Sequence, residues 1–240
     1  SLSIYGLVDL GINHITGAPG GSVTRLTSGN MEGTRLGFKG NEDLGGGYRA
    51  IFTLESRIEA DTGGLGSRPI SGNRLPDRLS TATSLGLPAA LQPAVSAVAA
   101  QIGSSVGVNL NGSFFDRQIF SGLVTPYGAF TLGRQYTPAY QASAYFDVMK
   151  TESSLALGQL VAIPASFDIR VSNSLQYGLQ LGGLTATAMY AAGEVAGKPS
   201  ARRLLGAMAI YKGNGYSFGG GANTRNNELG EKSLTTVTVG

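Results

Sequence analysis

The chain has no cysteine, no tryptophan and a single histidine, His14, among 240 residues. Without thiols there is neither a disulfide framework nor a thiolate metal site. One imidazole does not make a transition-metal centre. Charge is scarce as well: Asp, Glu, Lys and Arg make up 14% of the residues, against about a quarter in ordinary soluble domains. The net charge is +3. Its basic residues are spread along the chain rather than clustered, which leaves nucleic-acid binding without support. No run approaches the ~18 uninterrupted apolar residues that a spanning helix needs. The nearest, LPAALQPAVSAVAAQIG (87–103), is broken by two prolines, two glutamines and a serine. The mean hydropathy of +0.05 is too polar for a bundle of such helices. The GGG at 45–47 lacks the following helix and the lysine–serine pair of a phosphate loop. No nucleophile–base pair stands out, and no acidic run is dense enough for calcium. The chain reads as a non-enzyme that needs no metal and no cofactor.

Glycine and two-residue alternation are what the chain does have. Its 37 glycines are about twice the usual share of ~7%. In TRLGFKGNEDLGGGYRAIFTLES (34–56), Arg35 and Lys39 alternate with Leu36 and Phe38. After the turn, Arg49, Thr53, Glu55 and Arg57 alternate with Ala50, Phe52, Leu54 and Ser56. Period two means strands with one polar and one apolar face. The pattern recurs at 2–13, 33–41, 47–58, 114–124, 128–136, 168–181, 184–192, 202–212, 215–225 and 231–239, about ten strands, with no convincing long helix. Each is roughly as long as the ~9–11 residues of a strand tilted across a bilayer.

The connections alternate too. Those at 42–46, 125–127, 182–183 and 213–215 are short. Those at 14–32, 59–113, 137–167, 193–201 and 226–230 are mostly long. Short turns at one end and long loops at the other belong to an outer-membrane barrel. Backbone groups cannot be left bare in hydrocarbon, so such a sheet closes on itself. The expected fold is therefore all-β, a transmembrane antiparallel β-barrel spanning 1–240 as one domain. Its polar face lines a wet lumen and its apolar face meets lipid. The opening SLSIYGLVDLG reads as the start of a processed mature chain. The tenth run ends at Val239–Gly240 without a terminal aromatic.

RLGFKGNEDLGGGYRAIFTLES (35–56), FDRQIFSGL (115–123), TLGRQY (131–136) and the opening SIYGLVDLGI (3–12) resemble, in this order, the general porins of Gram-negative bacteria, the β-proteobacterial branch in particular. The resemblance covers nearly the whole chain apart from 59–111, which looks like an enlarged external loop. It implies a sixteen-stranded barrel in the outer membrane that passes small hydrophilic solutes. It also implies a homotrimer set among outer-membrane lipid and lipopolysaccharide, and a third external loop, here 137–167, folded into the pore. Sixteen strands need roughly 330–400 residues, so the chain is expected to be incomplete at its C-terminal end.

By the same resemblance, arginines on the wall face carboxylates on the inward loop. Arg35 and Arg117 are the wall candidates on both motif and alternation. Arg134 matches by motif, but alternation places it with Leu132, so a bulge would have to turn it. Arg170 alternates with Ser172, Ser174 and Gln176. Glu55 is the wall carboxylate. Lys39, Arg49 and Arg57 add lumen charge. Asp147, Glu152 and Asp168 are the acids available to the loop, and each reads equally as a solvated surface residue or helix cap. Tyr5, Tyr48, Tyr127, Phe130, Tyr136, Tyr177, Tyr190 and Tyr216 lie near strand ends, where barrels carry aromatic girdles, although Tyr5 falls on the polar face. Arginine stays charged and presents a planar head, so several of them against few wall acids predict weak anion preference. The sequence leaves two other readings open: a substrate-specific anion channel, and a surface β-sandwich that binds a ligand.

Overall fold

The computed structural model describes residues 1–18, 21–65, 81–105, 113–150 and 169–240. Among these are strands β1 (Leu2–Leu7), β2 (Leu10–Ala18), β3 (Gly21–Ser28), β4 (Arg35–Gly45), β5 (Tyr48–Arg57), β6 (Gln118–Thr125), β7 (Gly128–Tyr136), β8 (Arg170–Leu181), β9 (Leu184–Ala191), β10 (Leu204–Lys212), β11 (Ser217–Asn226) and β12 (Lys232–Val239). Two α-helices accompany them, α1 (Gln92–Ser105) and α2 (Pro138–Phe146). Ten strands form one antiparallel sheet in the order β1-β4-β5-β6-β7-β8-β9-β10-β11-β12, and β2 and β3 pair as a separate hairpin.

The register keeps the two faces apart across neighbouring strands. Tyr5 lies opposite Gly37, Gly37 opposite Glu55 and Glu55 opposite Gln118. One residue along, Ile4, Phe38, Leu54 and Ile119 form the corresponding apolar row. Exposure inverts the order of a soluble core. On the apolar face Leu132 is 60% exposed and Val237 66%, while on the polar side Glu55 is 4% and Arg117 8% exposed. In water such a surface would be costly; against lipid it is the expected arrangement.

The segment expected as one strand over 2–13 is two. The sheet strand stops at Leu7, and Leu10–Ala18 and Gly21–Ser28 pair as the β2–β3 hairpin, most of it within the 14–32 segment expected as loop. Asp9 causes the break. Its carboxylate oxygen Oδ2 accepts the backbone N–H groups of Met31 at 2.6 Å and Glu32 at 2.7 Å, which pulls the chain out of the β1–β4 ladder. The other nine expected segments each carry one strand.

The sequence offers no convincing long helix, and the 14-residue α1 differs from that expectation, whereas α2 has nine residues. Helix α1 lies within 59–111. Helix α2 opens the 137–167 segment, and its local sequence accounts for it. Thr137 is the N-cap, its hydroxyl accepting the N–H of Tyr140 at 3.4 Å, and Pro138 occupies the first turn. The helix buries Pro138, Ala139 and Ala142. It packs on the polar-side face of β10, β11 and β12, where Met208 and Ile210 join Ala142 in a small apolar cluster with Phe146. Its seat includes Gly221, where a Cβ would lie 2.6 Å from the Pro138 carbonyl oxygen and 2.9 Å from Ala142 Cβ. Asn223 fixes its first turn, Oδ1 accepting the Ala139 N–H at 3.2 Å.

Candidate functional site

Period two puts Glu55 of β5 on the polar face, and three groups converge on its carboxylate. Arg117 donates from Nε at 2.7 Å, the Tyr5 hydroxyl donates at 2.9 Å, and Arg35 Nε stands at 3.8 Å. Arg117 sits just before β6, and its backbone N–H also donates to the Glu55 carbonyl at 3.2 Å. That bond holds the Arg117 segment beside β5. A buried carboxylate with several donors satisfies the rule that buried charge must be paired and hydrogen-bonded.

Tyr136 links this group to the next arginine. Its hydroxyl accepts from Arg170 Nη2 at 2.9 Å and from Arg117 Nη2 at 3.3 Å. The Arg170 guanidinium also lies over the Tyr136 ring, 4.6 Å from its centroid, in a cation–π contact. Tyr140 of α2 stacks on the same Tyr136 ring, centroids 4.9 Å apart. Tyr136 had been expected in a girdle. It belongs instead to the polar cluster, because a register shift between Gly133 and Gln135, with Gly133 at φ 135°, interrupts alternation just before it. Tyr5 is likewise on the polar side, with Lys39 Nζ 4.5 Å over its ring.

Arg134 sits within the same irregularity. Its register partner is Ile119, of the apolar row. Its guanidinium donates from Nε to the Asp116 carbonyl at 2.7 Å and from Nη1 to Ser172 Oγ at 3.3 Å. It therefore fastens the segment before β6 to β8. Arg57 pairs with Glu59 at 3.0 Å, and its backbone N–H donates to Asp116 Oδ1 at 2.9 Å. Burial pushes the Asp116 carboxyl above its ordinary range, against the opposing pull of the Arg57 N–H and of the Arg170 and Arg117 charges.

The sequence-derived candidates thus divide. Glu55, Arg35, Arg117 and Arg170 form one connected group. Arg57 and Arg134 flank it through Asp116. Lys39 and Arg49 lie exposed on the polar side of β4 and β5. Asp147 ends α2, where its Oδ1 accepts the Met149 N–H at 3.0 Å. Glu152 and Asp168 lie outside the described residues. Sequence reasoning passed over three carboxylates: Glu32, which pairs with Arg35, Glu59 and Asp116. All three lie beyond strand ends, where no periodicity marks a face. In sum, five arginines (35, 57, 117, 134 and 170) stand among four carboxylates (32, 55, 59 and 116), an excess of one positive charge. Among the described residues, no group of three or more His, Cys, Asp or Glu side chains could hold a metal ion.

Residues 1–240 match the family model described as "Gram-negative porin". A 64-residue stretch is 39% identical to outer membrane porin protein 32 of Delftia acidovorans, covering 26% of this chain and 18% of that protein. Among solved structures, the anion-selective porin from Comamonas acidovorans superposes with a TM-score of 0.69 at 22% identity, covering 100% of this chain and 62% of that one. The trimer form of OmpT, an outer membrane protein of Vibrio cholerae, superposes with a TM-score of 0.52 at 12% identity, covering 100% of this chain and 57% of that one. The chain thus spans about three fifths of these structures' length. At such identities the structural likeness establishes the fold: an antiparallel sheet of porin-barrel type.

Proposed function

This chain belongs to the Gram-negative porin family, a family of outer-membrane proteins and not of enzymes, and on that premise we propose that it forms the wall of a general diffusion pore. The pore passes small hydrophilic solutes and ions and prefers anions weakly. Membership removes the β-sandwich alternative. The polar face lines the lumen, and the two edge strands, β1 and β12, meet further strands of the barrel, since hydrocarbon tolerates no bare edge.

The observation that carries the reading is the group of five arginines held among four carboxylates around Glu55, which lies on the polar side of the sheet, beside a helix docked on that same side. Fixed charges of both signs along a water-filled wall bias ion passage. The excess is small, so the preference is weak. Arg35 is the most open cation of the connected group, with 21% of its side chain exposed against 9% for Arg117. Lys39 and Arg49 extend the positive potential along β4 and β5. The 137–167 segment constricts the lumen, beginning with α2, and 59–111 is an enlarged external loop. Asp147, Glu152 and Asp168 are that segment's acids. We take the assembly to be a homotrimer among outer-membrane lipid and lipopolysaccharide, by analogy with the OmpT trimer form. The solved porin from Comamonas acidovorans is described as anion-selective, which accords with the sign of the charge excess.

A planar-bilayer recording of the intact protein from its source membrane, under a KCl gradient, tests this. Conductance steps in threes with a reversal potential of anion-selective sign are expected. Cation selectivity would overturn the charge assignment, and absence of current from folded protein would overturn the pore. A conductance that saturates with one anionic solute would replace general diffusion by a substrate-specific channel.

A further inference from the structure

Glu32 lies in the turn between β3 and β4, a region with no alternation to assign it a face. It forms an ion pair with Arg35, and its charge also reaches Arg117. It is the carboxylate at the open side of the cluster: its side chain is 23% exposed, against 6% for Glu55. Its position does not come from the sheet. It comes from Asp9, which lies more than twenty residues earlier in the chain.

The turn is held from both its ends. Asp9 Oδ2 accepts the N–H groups of Met31 and Glu32, at 2.6 and 2.7 Å. The Asp9 carbonyl accepts the Gly29 N–H at 2.9 Å and the Thr34 hydroxyl at 3.0 Å. The Asp9 N–H in turn donates to Thr34 Oγ1 at 3.0 Å. Ser28 Oγ donates to Thr34 Oγ1 at 2.9 Å and accepts the Ala60 N–H at 3.0 Å, which ties the knot to the chain beyond β5. Charge-assisted bonds to backbone N–H groups are the strong class of such contacts. The turn they fix lies close on the arginines. A Cβ at Gly33 would come within 2.9 Å of Arg117 Nη1.

We infer that Glu32 sets how strongly the pore prefers anions, and that Asp9 is the positioning residue that holds Glu32 against Arg35. This rests on the pore reading above. Glu32 cancels the charge of the most open arginine of the connected group, so removing it leaves Arg35 facing the lumen with the 3.8 Å contact to the Glu55 carboxylate and a neutral hydrogen bond to the Gly33 carbonyl at 3.2 Å. Asp9 acts through the turn and not through its own charge: freeing the turn should have the same effect as neutralising Glu32.

The test is the reversal potential of the intact protein in planar bilayers under a KCl gradient near ~0.1 M, where screening is moderate. The parent is compared with Glu32→Gln, Asp9→Ala and the double variant. Glu32→Gln should raise the anion-to-cation permeability ratio on the order of twofold, as removal of one unit charge near the ion path demands. Asp9→Ala should raise it similarly, and the double variant should go no further than Glu32→Gln alone. Asp9→Asn keeps one acceptor oxygen for the turn and serves if the alanine variant does not fold; its effect should be smaller than that of Glu32→Gln. A conducting Glu32→Gln variant with the parent's ratio overturns the inference and leaves the pore reading intact. A double variant whose shift is the product of the two single shifts overturns the positioning role of Asp9. A folded parent that carries no current overturns the pore reading and this inference with it.

Discussion

Replacing Glu55 by glutamine separates the structural from the electrostatic role of the cluster. The amide has nearly the shape of the carboxylate but no charge, and one of its two terminal atoms is a donor. Arg117 Nε at 2.7 Å and the Tyr5 hydroxyl at 2.9 Å both donate to Glu55, so one of them loses its acceptor. At 4% exposure water does not substitute freely. Breaking a buried pair by removing one partner costs ~3–5 kcal/mol. The lower end, about 3 kcal/mol, applies here because Arg117 keeps the Tyr136 hydroxyl at 3.3 Å. Urea unfolding from bilayers measures this, and the reversal potential measures the charge: Glu55→Gln should be less stable and more anion-selective than the parent. The double variant Glu55→Gln, Arg117→Met removes both buried charges, and exchanging a whole buried pair for apolar packing is often neutral. It should recover most of the stability and none of the added anion preference. A Glu55→Gln protein as stable as the parent would refute the view that this carboxylate holds the arginines in place.

Three further outcomes follow from the same geometry. Gly221→Val puts branched volume where even a Cβ would stand 2.6 Å from the Pro138 carbonyl oxygen; overpacking of this kind costs ~1–3 kcal/mol and should displace α2, changing single-channel conductance. Ala222→Val, on the opposite face of the same strand, should leave conductance alone, and equal effects from the two would count against the helix seat. Asp116 has its carboxyl pushed up by burial, so its ionisation opposes folding above the ordinary carboxylate range and the penalty fades as pH falls. Asp116→Asn should therefore be neutral to stabilising near pH 7, with any gain lost in acid urea titrations; a large loss near pH 7 would show that the carboxylate is needed for its charge. Finally, anion preference should weaken between 0.1 and 1 M salt as the Debye length falls from ~10 to ~3 Å, and a salt-independent ratio would point to steric rather than charge selection.

Alternation made the ten sheet segments legible, together with the faces of Arg35 and Glu55, because a strand's period survives in the sequence whatever it packs against; the register shift between Ser174 and Val171 keeps it from assigning Arg170. It failed where the chain leaves the ladder without breaking the pattern. Val8 and Asp9 continue the alternation of residues 2–13, so nothing local shows that Asp9 turns away to bind Met31 and Glu32. Asp116 was hidden because its partner Arg57 is 59 residues away, while Glu32 and Glu59 have near partners, Arg35 and Arg57, but lie beyond the strands, where no alternation assigns a face. Tyr136 was misplaced by reasoning from strand ends, since the irregularity after Gly133 resets the face. Helix α2 did leave a local trace. Thr137–Pro138 before an alanine-rich run is a helix start signal, overlooked because the strand pattern around it was so regular.

The polar side of the sheet is itself divided, and the division determines where α2 can sit. From β4 to β8 it carries Arg35, Lys39, Arg49, Arg57, Glu55 and Arg170. From β9 to β12 it carries Met189, Leu204, Gly206, Met208, Ile210 and Gly221, with Lys212, Arg225 and Lys232 at or near strand ends. A helix that buries Pro138, Ala139 and Ala142 cannot lie on the first half without stripping water from arginines it has no group to pair with, a cost of several kcal/mol per uncompensated charge. On the second half it meets Met208 and Ile210 and closes over glycine. The helix meets the edge of the arginine group at Tyr136, where Tyr140 stacks on the ring and Gln141 Nε2 donates to the carbonyl at 3.0 Å. On the proposed pore reading, constriction and charge fall to different parts of one wall. A substitution that moves α2 should change the pore's width without touching the pairing of Glu55, and one at Glu55 should change selectivity without unseating the helix.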